Sequence, residues 1–244
     1  MPCGFDILFE DETCLAVAKP AGLLTQAPLG IDSLEYRIKR FLSERAVGQA
    51  SSLPLKDVYL GVPHRLDRPV SGAIVFAKTL KAAQRISKQF ENRRVTKTYW
   101  ALVEGHIEPA AGTWTDHLKK IDGEPRTIVV EKDEPDGRIA VLHYRVLQQV
   151  AAPANRSLLE ITLETGRTHQ IRVQCSSRGH PLLGDELYGS QIPFGPPSDD
   201  QRERLIALHA RLLKFWHHAA GDYINVTAPL PDYWRNAGVE LPGA

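Results

Sequence analysis

Apolar residues along this chain fall in short runs broken by turn residues. Residues 5–9 and 14–18 flank Glu10-Asp11-Glu12-Thr13, the pattern of a β-hairpin. Lys19-Pro20-Ala21-Gly22 then stops the second run. Helical spacing appears in Leu34, Ile38, Phe41 and Leu42, with Asp32 and Glu35 placed as a capping box. Residues 46–56 are small and polar and read as a loop. Two further apolar runs, 58–62 and 73–77, have the length of buried strands. Between them stands His64-Arg65-Leu66-Asp67-Arg68-Pro69-Val70-Ser71-Gly72, with Pro69 and Gly72 as turn punctuation.

Thr79 is placed to cap a helix whose apolar face is Leu80, Ala83, Ile86 and Phe90. Strand-like runs follow at 98–104, 127–131, 139–150, 157–164, 206–216 and 223–226. A second dense stretch, Thr165-Gly166-Arg167-Thr168-His169-Gln170-Ile171-Arg172, ends a strand, turns at Gly166 and enters a short helix running to Gly179. Residues 190–203, rich in proline, glycine and aspartate, read as a mobile loop. Short strands joined by turns, with few helices, predict a mostly antiparallel α+β fold, and 244 residues fit one domain over 1–244.

Charge changes this picture locally. The net charge is only +1, so an anionic partner has to be met by a patch rather than a global field. Residues 78–97 hold seven basic side chains and one acid, Glu91. Lys81, Arg85 and Lys88 form a stripe opposite the apolar helix face. Such a stripe is either a solvated surface or a phosphate-binding one. Cys3, Cys14 and Cys175 have no metal-ligand spacing and read as reduced thiols of a cytoplasmic protein. The first residues do not form a secretory signal, and no apolar run is long enough for a membrane. Glycine-rich phosphate loops are absent, so neither cofactor nor metal is expected.

Asp67 is the candidate centre of any chemistry, a carboxylate beside two guanidiniums on a turn held by core strands. The competing reading is a charged turn with an internal ion pair.

The motif His64-Arg65-Leu66-Asp67 with Ser71-Gly72 resembles the signature of the RluA-type pseudouridine synthases. Four other stretches agree in order: Lys19-Pro20-Ala21-Gly22, Lys97-Thr98-Tyr99-Trp100-Ala101, residues 165–172 followed by Gly179-His180-Pro181 and Gly184-Asp185, and Leu208-His209-Ala210. Val70 departs from the family's common threonine. The catalytic pattern starts within ten residues of Met1, so no preceding RNA-binding domain is expected. The resemblance implies a long, mostly antiparallel mixed sheet with a central RNA-binding cleft. It also implies isomerisation of uridine to pseudouridine in ribosomal or transfer RNA, by a monomer without obligate protein partners. Asp67 is implied as the catalytic aspartate, acting either as nucleophile or as base. Arg167 is implied as its basic partner and Tyr99 as the active-site tyrosine. Arg65 is implied to fill the gap left by an extruded base, and Ile171 to line the uracil pocket. His64 and His169 read as structural hydrogen-bonders. Two rivals remain. A nucleoside or glycoside hydrolase needs a second carboxylate, for which Glu164 and Asp185 are candidates. An RNA-binding protein without activity needs none.

Overall fold

The computed structural model describes residues 4–28, 30–46, 54–151 and 155–239. They divide into two compact units, 1–95 with 210–229 and 96–209 with 230–244. Cys3 and most of the expected 46–56 loop lie outside the described residues. Strands dominate and helices are few, the α+β class expected from the runs.

In the first unit, β1 (Asp6–Glu10) and β2 (Cys14–Lys19) form the expected hairpin, with Asp6 opposite Ala18. β2 pairs antiparallel with β3 (Ser71–Ala77), Cys14 opposite Ala77 and Lys19 opposite Gly72. Every residue of β3 is buried, so its continuous apolar run reflects two covered faces. Alternation sends Cys14, Ala16, Ala73, Val75 and Ala77 to one face, where they pack with Ile86 and Val95. Leu15, Val17, Ile74 and Phe76 point the other way and are fully buried. β9 (Leu208–His217) lies beside β3 and carries β10 (Asp222–Thr227) as an antiparallel neighbour.

Helix α1 (Leu34–Ala46) starts one residue later than the capping box predicts. Ser33 is the cap, its hydroxyl accepting from the Tyr36 amide, while Asp32 pairs with Arg37 and Glu35 with Lys39. A serine hydroxyl adjacent to the first turn reaches the free amides better than an aspartate already held by arginine. Helix α2 (Leu80–Glu91) begins as predicted, with the Thr79 hydroxyl accepting from Ala82 at 3.2 Å. Its expected apolar face needs one correction. Leu80 is 61% exposed, whereas Ala82 and Ala83 join the core. The small residues Ala82 and Ala83 pack on the core in its place. Gln89 acts like a strand residue. Its amide donates to the Trp216 carbonyl and accepts from the Trp216 amide, at 2.9 and 2.8 Å.

The second unit holds β4 (Thr96–Glu104), β5 (Ala111–Lys120), β6 (Thr127–Val130), β7 (Arg138–Val150) and β8 (Arg156–Leu163). They run in the order β4-β8-β7-β5-β6, each pair antiparallel. A short helix, α3 (Gln170–Ser176), follows β8, with all but its last residue buried. Trp100, Leu102, Leu158 and Trp234 make the main core. Residues 190–203 contain no strand, but their first half is anchored rather than loose. Phe194 is buried in that core, and one Glu104 oxygen accepts from the Ser190 hydroxyl and the Gln191 and Ile192 amides.

Candidate active site

The Asp67 turn departs from its expected flanks on one side. Residues 58–62 form no strand and pair with β3 through a single bridge between Gly61 and Ala77. The turn itself closes with the Val70 amide donating to the Asp67 carbonyl at 3.1 Å. Side chains fix it more firmly than strands do. The buried Thr25 hydroxyl donates to the Leu66 carbonyl at 2.8 Å and accepts from the Leu66 amide at 3.2 Å. The Gly22 amide donates to the Arg68 carbonyl, and Arg68 Nε returns a bond to the Gly22 carbonyl. Gly72, at φ +122°, permits the exit, because a Cβ there would stand 2.3 Å from the Ala210 carbonyl oxygen.

Lys19 sits beneath this turn and is 1% exposed. Its Nζ donates to the carbonyls of Pro20, Leu23 and Arg68 at 2.9, 2.6 and 3.1 Å. The lysine-proline-x-glycine turn is thereby clamped onto the Asp67 turn. Burial pulls the Lys19 amine down to about 7, the charge of Asp67 opposes that fall, and Arg68 adds to it. In the sequence Lys19 stands only as part of a turn. Its one signal there is a lone lysine between an apolar strand and Pro20.

His64 is structural, as expected. Its Nε2 accepts from the Val75 amide at 3.1 Å, and its ring stacks on Phe90 at 4.3 Å. Arg65 is exposed and Asp67 half-buried. Lys81, Arg85 and Lys88 are exposed on one face of α2, and Lys88 meets Glu91 at 3.1 Å.

Tyr99, Arg167 and Ile171 belong to the second unit. Tyr99 is buried on β4 opposite Ile161. Arg167 is gripped at its backbone by Gln170: its amide donates to Gln170 Oε1 at 3.0 Å, and its carbonyl accepts from the Gln170 amide at 3.1 Å. Buried Gln170 is itself fixed by the Thr165 hydroxyl and the Val141 carbonyl. Arg167 Nε donates to the Ile139 carbonyl at 3.0 Å, which orients the guanidinium. Ile171 is buried in the first turn of α3.

The two alternative carboxylates have other work. Asp185 is buried in a bidentate pair with Arg172, at 2.6 and 2.7 Å. Glu164 Oε1 is hydrogen-bonded to His143 Nε2 at 2.6 Å. Among the described residues, one donor cluster has metal-like spacing: Asp11, Cys14 and His217. Its polar atoms have hydrogen-bond partners within the fold. His217 Nδ1 accepts from the Ala220 amide, so the ring proton sits on Nε2, 3.0 Å from Asp11 Oδ2. Burial pushes the Cys14 thiol up to about 12, so by itself it is a neutral S–H group. Burial also opposes the Asp11 charge, but the Cys14 and Thr13 amides outweigh it and hold the carboxyl below its ordinary range. The cluster is a hairpin lock.

Residues 13–177 match the family model described as RNA pseudouridylate synthase. An uncharacterised RNA pseudouridine synthase of Synechocystis is 34% identical over 97% of this chain and 68% of its own length. Ribosomal large subunit pseudouridine synthase D of Neisseria meningitidis serogroup A is 35% identical over 95% of this chain and 59% of the relative. The enzyme of that name from Nitrosomonas europaea is 37% identical over 93% and 62%. This chain thus spans 59–68% of the length of these relatives. Human RNA pseudouridylate synthase domain containing 1 superposes with a TM-score of 0.70 at 26% identity, over 93% of this chain and 84% of its own. Domain containing 4 gives 0.72 at 24%, over 95% and 91%, and shares the fold. The chain belongs to the RNA pseudouridylate synthase family, whose members are isomerases acting on uridine in RNA.

Among the described residues, no helix is long and apolar enough to cross a membrane.

Proposed function

We propose that this chain converts uridine to pseudouridine in ribosomal RNA, with Asp67 as the catalytic carboxylate. The observation that carries this reading is the clamped Asp67 turn. Thr25, Gly22, Arg68 and buried Lys19 hold one half-buried carboxylate in a fixed place. A catalytic group held in advance avoids the ordering entropy at the moment of reaction. Two relatives named as ribosomal large subunit enzymes supply the substrate class.

The reaction breaks the bond from N1 of uracil to the sugar, turns the base and joins carbon 5 to the same sugar carbon. Carbon 5 then loses its proton and N1, released from the sugar, gains one, so atoms and electrons balance without an oxidant or an added group. Asp67 serves either as nucleophile or as the base that takes a sugar proton. Arg167 serves as its basic partner, the role the family resemblance implies. Tyr99 stacks on the uracil, and Ile171 lines its pocket. Exposed Arg65 fills the space of the extruded base. Lys81, Arg85 and Lys88 bind phosphates. The working unit is a cytoplasmic monomer, with RNA as its partner and neither metal nor cofactor.

Mapping pseudouridine in ribosomal RNA with and without the gene, and with Asp67→Asn restored, tests this. One or more sites should vanish on deletion and stay absent with Asp67→Asn. Return of those sites with Asp67→Asn would sink the assignment of Asp67. An unchanged ribosomal map alongside altered transfer RNA would sink the substrate class.

A further inference from the structure

Tyr188 stands at a junction in the second unit that the proposed chemistry does not use. It closes the 3-10 turn Glu186–Tyr188 and is 6% exposed. Its hydroxyl oxygen accepts from the Thr127 amide at 2.9 Å and shares a second hydrogen bond, also 2.9 Å, with His169 Nδ1. Thr127 is the first residue of β6, and His169 is the last residue of the turn that carries Arg167. One hydroxyl therefore joins the β5–β6 hairpin to that turn.

The rest of Tyr188 is equally fixed. Its ring meets the His169 ring edge-on and packs with Leu118, Ala140 and Val173. The Arg172 guanidinium lies 5.0 Å from the ring centroid while paired to Asp185. The Ser176 hydroxyl donates to the Tyr188 carbonyl at 2.6 Å. Burial raises the phenol above its ordinary range, so it remains a neutral O–H group.

His169 needs such a partner. It has φ +54°, a left-handed conformation that a histidine adopts at a cost and that the surroundings have to impose. Gln170 grips the Arg167 backbone from one side, and His169 fixes the far end of the same turn. Without the hydroxyl, the turn keeps its Gln170 bonds and loses this bond to the hairpin.

We propose that Tyr188 is a positioning residue for Arg167, acting through His169, and that the Tyr188 hydroxyl couples the β5–β6 hairpin to the arginine turn. This rests on the assignment of Arg167 as the basic partner of the catalytic carboxylate. A small displacement of a positioned group costs rate more than binding. The signature is thus a fall in kcat with little change in KM.

The test measures tritium release from carbon 5 of uridine in ribosomal RNA, with melting temperature alongside. Tyr188→Phe removes only the hydroxyl. It should lower kcat roughly tenfold or more, with KM within about twofold. His169→Ala should copy that loss. His169→Asn should restore most of it, because asparagine accepts the left-handed backbone and presents a polar atom near the Nδ1 position. In an Arg167→Lys background, the added effect of Tyr188→Phe should shrink to within about twofold, as expected for two residues in one unit. Unchanged kcat in Tyr188→Phe, equal losses in both His169 variants, or full multiplication of the two effects would each overturn the proposal. If Tyr188→Phe melts early, the two His169 variants decide alone. If Arg167→Lys turns over like wild type, the Arg167 assignment fails, and the positioning role fails with it for that separate reason.

Discussion

The turns carrying Asp67 and Arg167 are held by different physics. Two cationic side chains, one hydroxyl and one glycine amide fix the Asp67 turn: Lys19 donates to three carbonyls, Arg68 Nε to that of Gly22, and Thr25 and Gly22 take the peptide groups on either side. Neutral side chains fix the Arg167 turn, chiefly Gln170 and the Tyr188–His169 bond, behind a buried Arg172–Asp185 pair. In the first case the frame responds to protonation of one amine. In the second it responds to loss of single polar atoms. Placing a carboxylate on the first and a guanidinium on the second gives each charge a frame that the other charge does not build.

The sharpest way to break this comparison is to remove chemistry without touching the frame. Asp67→Asn keeps the size of the side chain and leaves the bonds to Leu66, Arg68 and Val70 in place. Turnover should fall by at least about 10²–10⁴-fold, with the melting temperature near wild type. A clear drop in melting temperature with turnover surviving in the cold would instead make Asp67 a structural partner.

The next effect belongs to the second frame. Asp185→Ala leaves the Arg172 guanidinium buried without its bidentate acceptor. Breaking a buried pair from one side costs about 3–5 kcal/mol. A lower urea midpoint in the variant checks this. Replacing both partners, as Arg172→Met with Asp185→Leu, should recover much of the loss, because no charge is then stranded. If the double variant is no better than the single, the arginine matters for its packing on Tyr188 rather than for its charge.

Much of this is legible in the sequence, for reasons that separate the two regions. The hairpin of β1 and β2, the Thr79 cap and the Pro69–Gly72 punctuation are local signals, and each lands where the residues place it. β5 has no such signature, since Ala111–Lys120 has hardly any apolar alternation and only Leu118 is buried. Its partners β6 and β7 make it a strand, and pairing is not written in one segment. Residues 58–62 fail in the opposite sense, an apolar run that finds only one bridge. The roles of Lys19, Gln170 and Tyr188 are hidden for a related reason. Each acts on a residue distant in sequence or through a backbone group, which composition does not record.

Lys19 gives the third effect. Lys19→Met takes a donor from the carbonyls of Pro20 and Leu23, while that of Arg68 keeps the Gly22 amide; a buried group left unsatisfied costs about 1–3 kcal/mol, partly offset by no longer burying a charge. The net loss should be of that order. Its sign with pH is fixed by the amine. The unfolded lysine titrates near 10.5, and the folded one is pulled down to about 7. Between those values the unfolded chain holds a proton the folded chain has released, which leaves the amine two N–H groups for its three carbonyls; with the lysine pulled down to about 7, raising the pH favours the folded form. The stability of wild type relative to Lys19→Met should therefore rise from pH 7 to pH 9, by up to about 1.4 kcal/mol per pH unit. It should fade as the pH drops through about 7. Denaturant titrations of both proteins at three pH values measure it, and a difference independent of pH would show the amine charged throughout.

The smallest effect concerns the surface beside the first frame. Lys81, Arg85 and Lys88 lie exposed on α2, in a chain whose net charge is only +1. If all three meet phosphates, replacing them by glutamine removes the three charges that displace counterions there. The slope of log affinity against log salt should then flatten by roughly 0.7–0.9 for each phosphate no longer neutralised. Lys88 already meets Glu91 at 3.1 Å, but both side chains are well exposed and such a pair contributes little. It should yield readily to a phosphate. Fold stability should move by no more than about 0.5 kcal/mol, as for surface changes in general. Binding isotherms at several salt concentrations, on ribosomal RNA fragments, separate the outcomes. A slope flattened by about two units or more places all three side chains on RNA. A slope flattened by about one unit leaves one of them on a phosphate, and an unchanged slope makes the stripe a solvated face, so that the phosphates are held elsewhere than on α2.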